Sequence, residues 1–178
     1  MNFVIIGTTG VGKSMIGITL AQKYKLNVID SDYIFQEQYG SITSYGNKNS
    51  WNKYFRKQSE IIENIFSNID QHINNIIVLP ASSLMHHRYP DICISNLSIV
   101  SGSIIILISP TYDIKSGYSI CSERISNRGY ELDFEDEKKK YLYQSLFYRS
   151  ICDIMFINNS SIDEIAYKIH EYINSLLR

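Results

Sequence analysis

Residues 2–6, Asn-Phe-Val-Ile-Ile, form a short apolar run that stops at a glycine. Gly7-Thr8-Thr9-Gly10-Val11-Gly12-Lys13-Ser14 follows at once and matches the pattern G-x-x-x-x-G-K-[ST] in full. Nothing else in the chain constrains its fold as strongly, because this pattern works only as a strand, a turn and a helix in immediate succession. An apolar run without alternation suits a strand buried on both faces of a parallel sheet. The glycines permit backbone angles that turn successive N–H groups inward, making an anion-binding nest. After the turn, Met15, Ile16, Ile18, Leu20 and Ala21 recur near helical spacing from Lys13 to about Tyr24. The N-terminus of that helix would aim at the same anion. Lys13 would reach the β- and γ-phosphates of a nucleoside triphosphate, and the Ser14 hydroxyl would ligate Mg²⁺. The flanking strand and helix argue against a chance glycine turn.

The rest of the chain repeats the alternation. Asn27–Asp30, Ile76–Leu79, Ile104–Ile108 and Ile154–Ile157 read as further short strands. Helices are expected over Tyr33–Tyr39, Trp51 to about Ile73, Asp113–Asn127, Asp133 to about Ile151, and from Ser160-Ser161-Ile162-Asp163-Glu164 to Leu177. The last opens on a serine and a glutamate at capping-box range. Strands alternating with helices predict an α/β three-layer sandwich of the P-loop NTPase type, with a mainly parallel five-stranded sheet. Residues 41–50 and 127–136 are polar and poorly patterned, and are expected to be loops.

A chain of 178 residues fits one domain, 1–178. Its net charge of −1 gives no reason to expect a nucleic acid or membrane surface as partner. No stretch approaches about 18 apolar residues, and residues 3–6 are too short for a signal peptide, so a cytoplasmic protein is expected. Cys93, Cys121 and Cys152 lack metal-type spacing and read as reduced thiols.

Asp30 and Asp32 follow the second strand. Ligands in open α/β sheets gather beyond the C-terminal strand ends. Asp30 would orient Mg²⁺ through water, and Asp32 would take a proton from an attacking hydroxyl or hold it in line. The same pair also reads as a helix N-cap beside a solvated acid.

With these residues in place the chain resembles the shikimate kinase family. The likeness rests on the phosphate loop, on Asp30-Ser31-Asp32-Tyr33-Ile34-Phe35, on Gly40 and on Phe55-Arg56. It covers residues 1 to about 65, and more loosely the part containing Tyr148 and Asp153. The resemblance implies ATP as phosphoryl donor and a small hydroxylated acid as acceptor. It implies Asp30 as the Mg²⁺ aspartate, Asp32 as the residue that binds the acceptor hydroxyl, and Arg56 as the grip on its carboxylate. A planar guanidinium fork suits a carboxylate. Arg56 also reads as an exposed helix residue paired with Glu60. Helices within about 33–73 would bind the acceptor, and a monomer is expected.

Two departures concern the acceptor pocket. The family's glycine triad after the third strand is replaced by Pro80-Ala81-Ser82-Ser83, where Ser82 or Ser83 would donate hydroxyl bonds instead. The family's second carboxylate-gripping arginine, four residues before a tyrosine, falls on Gln144; Lys140 lies one turn earlier. Ser82 and Gln144 are therefore acceptor-site candidates. A lid is expected over about 124–136, with Arg124 stacking on adenine and Arg128 covering the phosphates. Cations also favour helix C-termini in general. Paired arginines before a Tyr-rich helix resemble nucleoside and nucleotide kinases too, and loss of the glycine triad leaves room for a nucleotide-binding regulator without transfer activity. His86 and His87 read as surface or loop residues, and Trp51 as an anchor for the long helix.

Overall fold

The computed structural model describes residues 1–127 and 134–178. In chain order these form β1 (Asn2–Ile6), α1 (Lys13–Tyr24), β2 (Asn27–Asp30), α2 (Ser31–Tyr39), α3 (Ile42–Asn49), α4 (Trp51–Asn68) and β3 (Asn75–Val78). There follow α5 (Pro90–Ile99), β4 (Ile104–Ser109), α6 (Ile114–Ser126), α7 (Phe134–Ile151), β5 (Ile154–Ile157) and α8 (Ile162–Leu176). The strands make one five-stranded sheet, ordered β2-β3-β1-β4-β5, and every pairing is parallel.

Side-chain alternation along β1 explains the three layers. Phe3 and Ile5 pack with Ile16 and Leu20 of α1 and with Ile165, Ile169 and Ile173 of α8. Val4 and Ile6 point the other way, into a core with Ile62 of α4, Val100 just after α5 and Tyr148 of α7. Each such fully buried aliphatic side chain contributes roughly 1.5–3 kcal/mol. A smaller cluster, Phe35 with Tyr54 and Ile61, joins α2 to α4 beside the sheet. All strands run the same way, so the turns after β1, β2, β3 and β4 meet at one edge. Ser31 Oγ donates to the Val78 carbonyl at 2.9 Å and fastens the start of α2 to the end of β3.

The structure corrects the expected elements in three places. Residues 41–50 are not a loop: α3 occupies most of them. Its Gly46 lies so close to Trp51 that an added Cβ would meet the indole at 2.9 Å. Trp51 thus anchors the α3–α4 junction. The long helix ends at Asn68 rather than near Ile73. Residues 90–99, for which no element is expected from the sequence, form α5, with Pro90 in its first turn and Ile92, Cys93 and Asn96 buried. Among the described residues no helix is long and apolar enough to cross a membrane. Cys93 and Cys121 are buried, Cys152 is half-buried, and all are free thiols.

Candidate active site

The loop between β1 and α1 owes its shape to its glycines. Gly10 and Gly12 have φ of 81° and 98°, in the left-handed region that favours glycine. Neither has room for a side chain: a Cβ on Gly12 would lie 2.9 Å from the Asn158 amide, and one on Gly10 would lie 3.0 Å from the Cys121 carbonyl. The loop is braced from β5, where Asn158 Nδ2 donates to the Val11 carbonyl at 2.7 Å. Lys13 is buried, and its Nζ donates to the Gly7 carbonyl at 2.9 Å and the Thr8 carbonyl at 3.4 Å. The ammonium is therefore stored across the mouth of the loop. Thr8 is buried and Thr9 exposed, while Ser14 is half-buried at the start of α1.

Asp30 ends β2 and caps α2. Its Oδ1 accepts the Asp32 N–H at 2.9 Å. The capping reading is thus correct for that oxygen. Oδ2 is buried and has no partner among the described residues. Leaving such an acceptor unpaired costs on the order of 1–3 kcal/mol. Ser14 and Asp30 line one groove between α1 and α2. A hydroxyl and an unsatisfied carboxylate oxygen are the donor types that a hard cation such as Mg²⁺ takes, so the residues present fit that ion.

Asp32 stands in the first turn of α2. Gln58 Nε2 donates to its Oδ1 at 3.4 Å, and the Tyr54 hydroxyl lies close enough to the carboxylate to favour its charged form. Burial, and then the neighbouring Asp30 charge, push the Asp32 carboxyl up to about 6, against the pull of Lys13 and Tyr54. The Tyr54 phenol is pushed up in turn by burial and by Asp32. A carboxylate of raised pKa near a lysine at the sheet edge has the proton affinity a general base needs near neutral pH.

The turn after β3 is built without glycine. Ser83 N and Oγ both donate to the Pro80 carbonyl, at 3.2 Å and 2.9 Å. The Tyr148 hydroxyl donates to the Ala81 carbonyl. Gln144 Nε2 donates to Ser82 Oγ and to the Met85 carbonyl, each at 3.0 Å. Ser82 and Gln144, both singled out from sequence, are thus brought together and both are buried. Lys140 pairs with Glu137 at 3.2 Å and shares a small cleft with Thr8, Thr9 and Gln144.

Arg56 is not brought to Asp32. It lies two residues from both Tyr54 and Gln58, hence about 160° around α4 from the face that touches Asp32. Its side chain is 60% exposed, with Nε donating to Asn52 Oδ1 at 3.0 Å and a terminal nitrogen 3.9 Å from Asp91. The alternative pairing with Glu60 falls to Lys57, 2.5 Å from that carboxylate. Arg124 occupies the last turn of α6; burial pushes the nearby Cys121 thiol up, against the pull of Thr8, Arg124 and Lys13, and Cys121 Sγ is 3.9 Å from Thr8 Oγ1. Arg128 and residues 129–133 of the expected lid segment lie outside the described residues. His86 is half-buried against Phe55 and Tyr89 and stacks on His87 with centroids 5.3 Å apart. Among the described residues no three or more His, Cys, Asp or Glu side chains gather into a group that could hold a metal by themselves.

Sequence reasoning missed Tyr54 and Gln58. The available signal was a glutamine inside the apolar stripe of α4, one turn after Tyr54 and just before Ile61 and Ile62. A polar residue on a buried helix face needs a partner.

Comparison with known proteins agrees with this geometry. A family model described as shikimate kinase matches residues 9–174. The chain belongs to the shikimate kinase family. Its enzyme class goes with the family: a shikimate kinase-like small-molecule kinase. A segment of 68 residues, 38% of the chain, is 34% identical to part of the pentafunctional AROM polypeptide of Komagataella phaffii; the match spans about 4% of that polypeptide's length. Among solved structures, the shikimate kinase of Acinetobacter baumannii, in complex with shikimate, superposes with a TM-score of 0.74 at 17% identity, covering 98% of this chain and 93% of that one. A deoxyadenosine kinase of M. mycoides gives a TM-score of 0.63 at 15% identity, covering 99% and 100%. At these identities the structural likenesses speak to the fold alone.

Proposed function

We propose that this member of the shikimate kinase family transfers the γ-phosphoryl group of ATP to a hydroxyl of shikimate or a closely related small hydroxylated acid. The observation that carries this reading is the position of Asp32, within electrostatic range of Lys13 at the C-terminal edge of the sheet. In the reaction the acceptor oxygen bonds to the γ-phosphorus, the bond to the bridging oxygen breaks, and ADP leaves. Asp32 receives the hydroxyl proton. Lys13 exchanges its carbonyl partners for phosphate oxygens and follows the charge of the group in flight. The loop amides of residues 7–14 hold the remaining phosphates. Ser14 and Asp30 would hold Mg²⁺, Asp30 through water, and the ion would supply charge neutralisation on the phosphates.

The acceptor contacts differ from those the resemblance implies. Ser82 Oγ accepts from Gln144, which leaves its own proton to donate to an acceptor oxygen, so Gln144 acts through Ser82. Arg56 is left outside the site. Arg124 and Arg128 remain the proposed adenine and phosphate contacts of a lid. A nucleoside acceptor is the second reading. It is favoured by the ring cluster of Phe55, His86 and Tyr89, with centroids 4.7–4.9 Å apart, which offers flat surfaces for a base.

Coupled ADP release, measured with shikimate, other hydroxy acids, nucleosides and sugars, separates the possibilities. Shikimate-dependent turnover that falls to a residual level in Asp32→Asn supports the first reading. Turnover with nucleosides alone supports the second. ATP binding without any acceptor-dependent turnover would make the chain a nucleotide-binding regulator.

A further inference from the structure

Asp32 faces two donor side chains from one helix: Gln58 Nε2 donates to its Oδ1 at 3.4 Å, and the Tyr54 hydroxyl lies near enough to favour its charged form. Tyr54 and Gln58 are four residues apart on α4, so they share a face. Both are almost fully buried, with exposures of 5% and 2%. Each is held by different means. The Tyr54 ring meets Phe35, Phe55 and Trp51 edge-on, at 4.9, 5.1 and 5.7 Å between centroids, which fixes where its hydroxyl falls. The Gln58 amide turns its nitrogen to Asp32 and leaves Oε1 buried with no partner among the described residues. Turning the amide over would set two acceptor oxygens against each other. The orientation that favours Asp32 is kept although it strands an acceptor.

We propose that Tyr54 and Gln58 are positioning residues that lock the Asp32 carboxylate in the orientation it needs to receive the acceptor hydroxyl. The proposal rests on the role of Asp32 in the reading above. A carboxylate offers about four lone-pair sites. Tyr54 and Gln58 face two of them, which leaves others for an acceptor hydroxyl. An aspartate at the first turn of a helix would otherwise swing between rotamers, and an ångström of misplacement costs up to about 100-fold in rate. The clamp also ties the start of α2 to α4, so a shift of α4 moves the base.

The test is a double-mutant cycle on the full chain, with Tyr54→Phe, Gln58→Met and Asp32→Asn, using shikimate and ATP in the ADP-release assay. Tyr54→Phe removes a hydroxyl and keeps the ring contacts. Gln58→Met keeps the length and removes the donor. Each is expected to lower kcat roughly 10-fold while the KM for ATP stays within about 2-fold. Placed on Asp32→Asn, each is expected to change residual turnover less than about 2-fold, because the side chain they orient can no longer take the proton. A purely structural role predicts the same fractional loss in both backgrounds. Wild-type kcat in both Tyr54→Phe and Gln58→Met, with Asp32→Asn reduced to residual turnover, overturns the clamp and spares the role of Asp32. Unchanged turnover in Asp32→Asn, or no turnover by the wild type, rejects that role and the clamp together. Thermal melts of each variant establish that it is folded.

Discussion

Replacing Asp32 by asparagine is expected to stabilise the free protein while stopping its reaction. Burial and the Asp30 charge raise the Asp32 carboxyl from 3.8 to about 6. In the folded chain the group therefore binds its proton at higher pH than in the unfolded chain. Stability falls as pH rises between about 4 and about 6, and the whole penalty persists above that window. The gap corresponds to roughly 3 kcal/mol, at about 1.4 kcal/mol per pH unit, as an upper bound. Asparagine keeps an oxygen for Tyr54 and Gln58 and removes the charge. For a domain of this size each kcal/mol moves the midpoint by about 2–4 °C, so Asp32→Asn should melt up to roughly 6–12 °C higher at pH 7.5. The gain should shrink toward zero near pH 4, where wild-type Asp32 is itself protonated. The assay is a thermal melt of both proteins across pH, without nucleotide and with chelator present. A variant no more stable than wild type at pH 7.5, or a difference that does not shrink on acidification, refutes the reasoning. Such a gain paired with lost turnover is the usual trade between stability and activity.

Gly7→Ala would put a Cβ 2.5 Å from the Ile108 carbonyl oxygen at a φ of 154°; it should cost about 2–3 kcal/mol in a denaturant melt and weaken ATP binding in a fluorescence titration. Arg56→Ala should change the acceptor KM by less than about 3-fold and leave the melting point within error, since exposed ion pairs contribute about 0–1 kcal/mol; a loss of 100-fold would mean that α4 rotates on acceptor binding. Burial and the nearby charges of Lys140, His87 and Arg88 hold the His86 imidazole down at about 4. The unfolded chain takes this proton near its ordinary value of 6.5, so stability is lost as pH falls from about 6.5 toward about 4, by on the order of 1–2 kcal/mol after solvent screening. His86→Phe should flatten that limb of the pH–stability curve, in the opposite direction to the Asp32 effect.

The strands and the phosphate loop were legible because their signals are local. Runs such as Ile104–Ile108 are apolar on both faces, and the glycine spacing carries its own backbone requirement. Helix α3 was not legible. Ile42–Asn49 is mostly polar and contains Gly46, and its packing comes from Trp51 filling the space beside that glycine. Helix α5 escaped notice because its buried set includes Asn96, whose amide donates to the Ser83 carbonyl at 2.8 Å. No periodicity reports such a contact. Asp30 and Asp32 could be read from their place after a strand. Tyr54 and Gln58 could not, because their partner lies across a turn and two helices. Arg56 shows the converse. Its register matches the family, yet helix geometry turns it toward Asp91.

Calorimetric titration of the protein with ATP and Mg²⁺ puts the phosphate loop itself to the test. Saturable binding of one nucleotide per chain is expected, and it should be lost in Lys13→Ala while the fold persists by circular dichroism. No heat from the wild type, or binding by Lys13→Ala as tight as by the wild type, would contradict a triphosphate seated on residues 7–14.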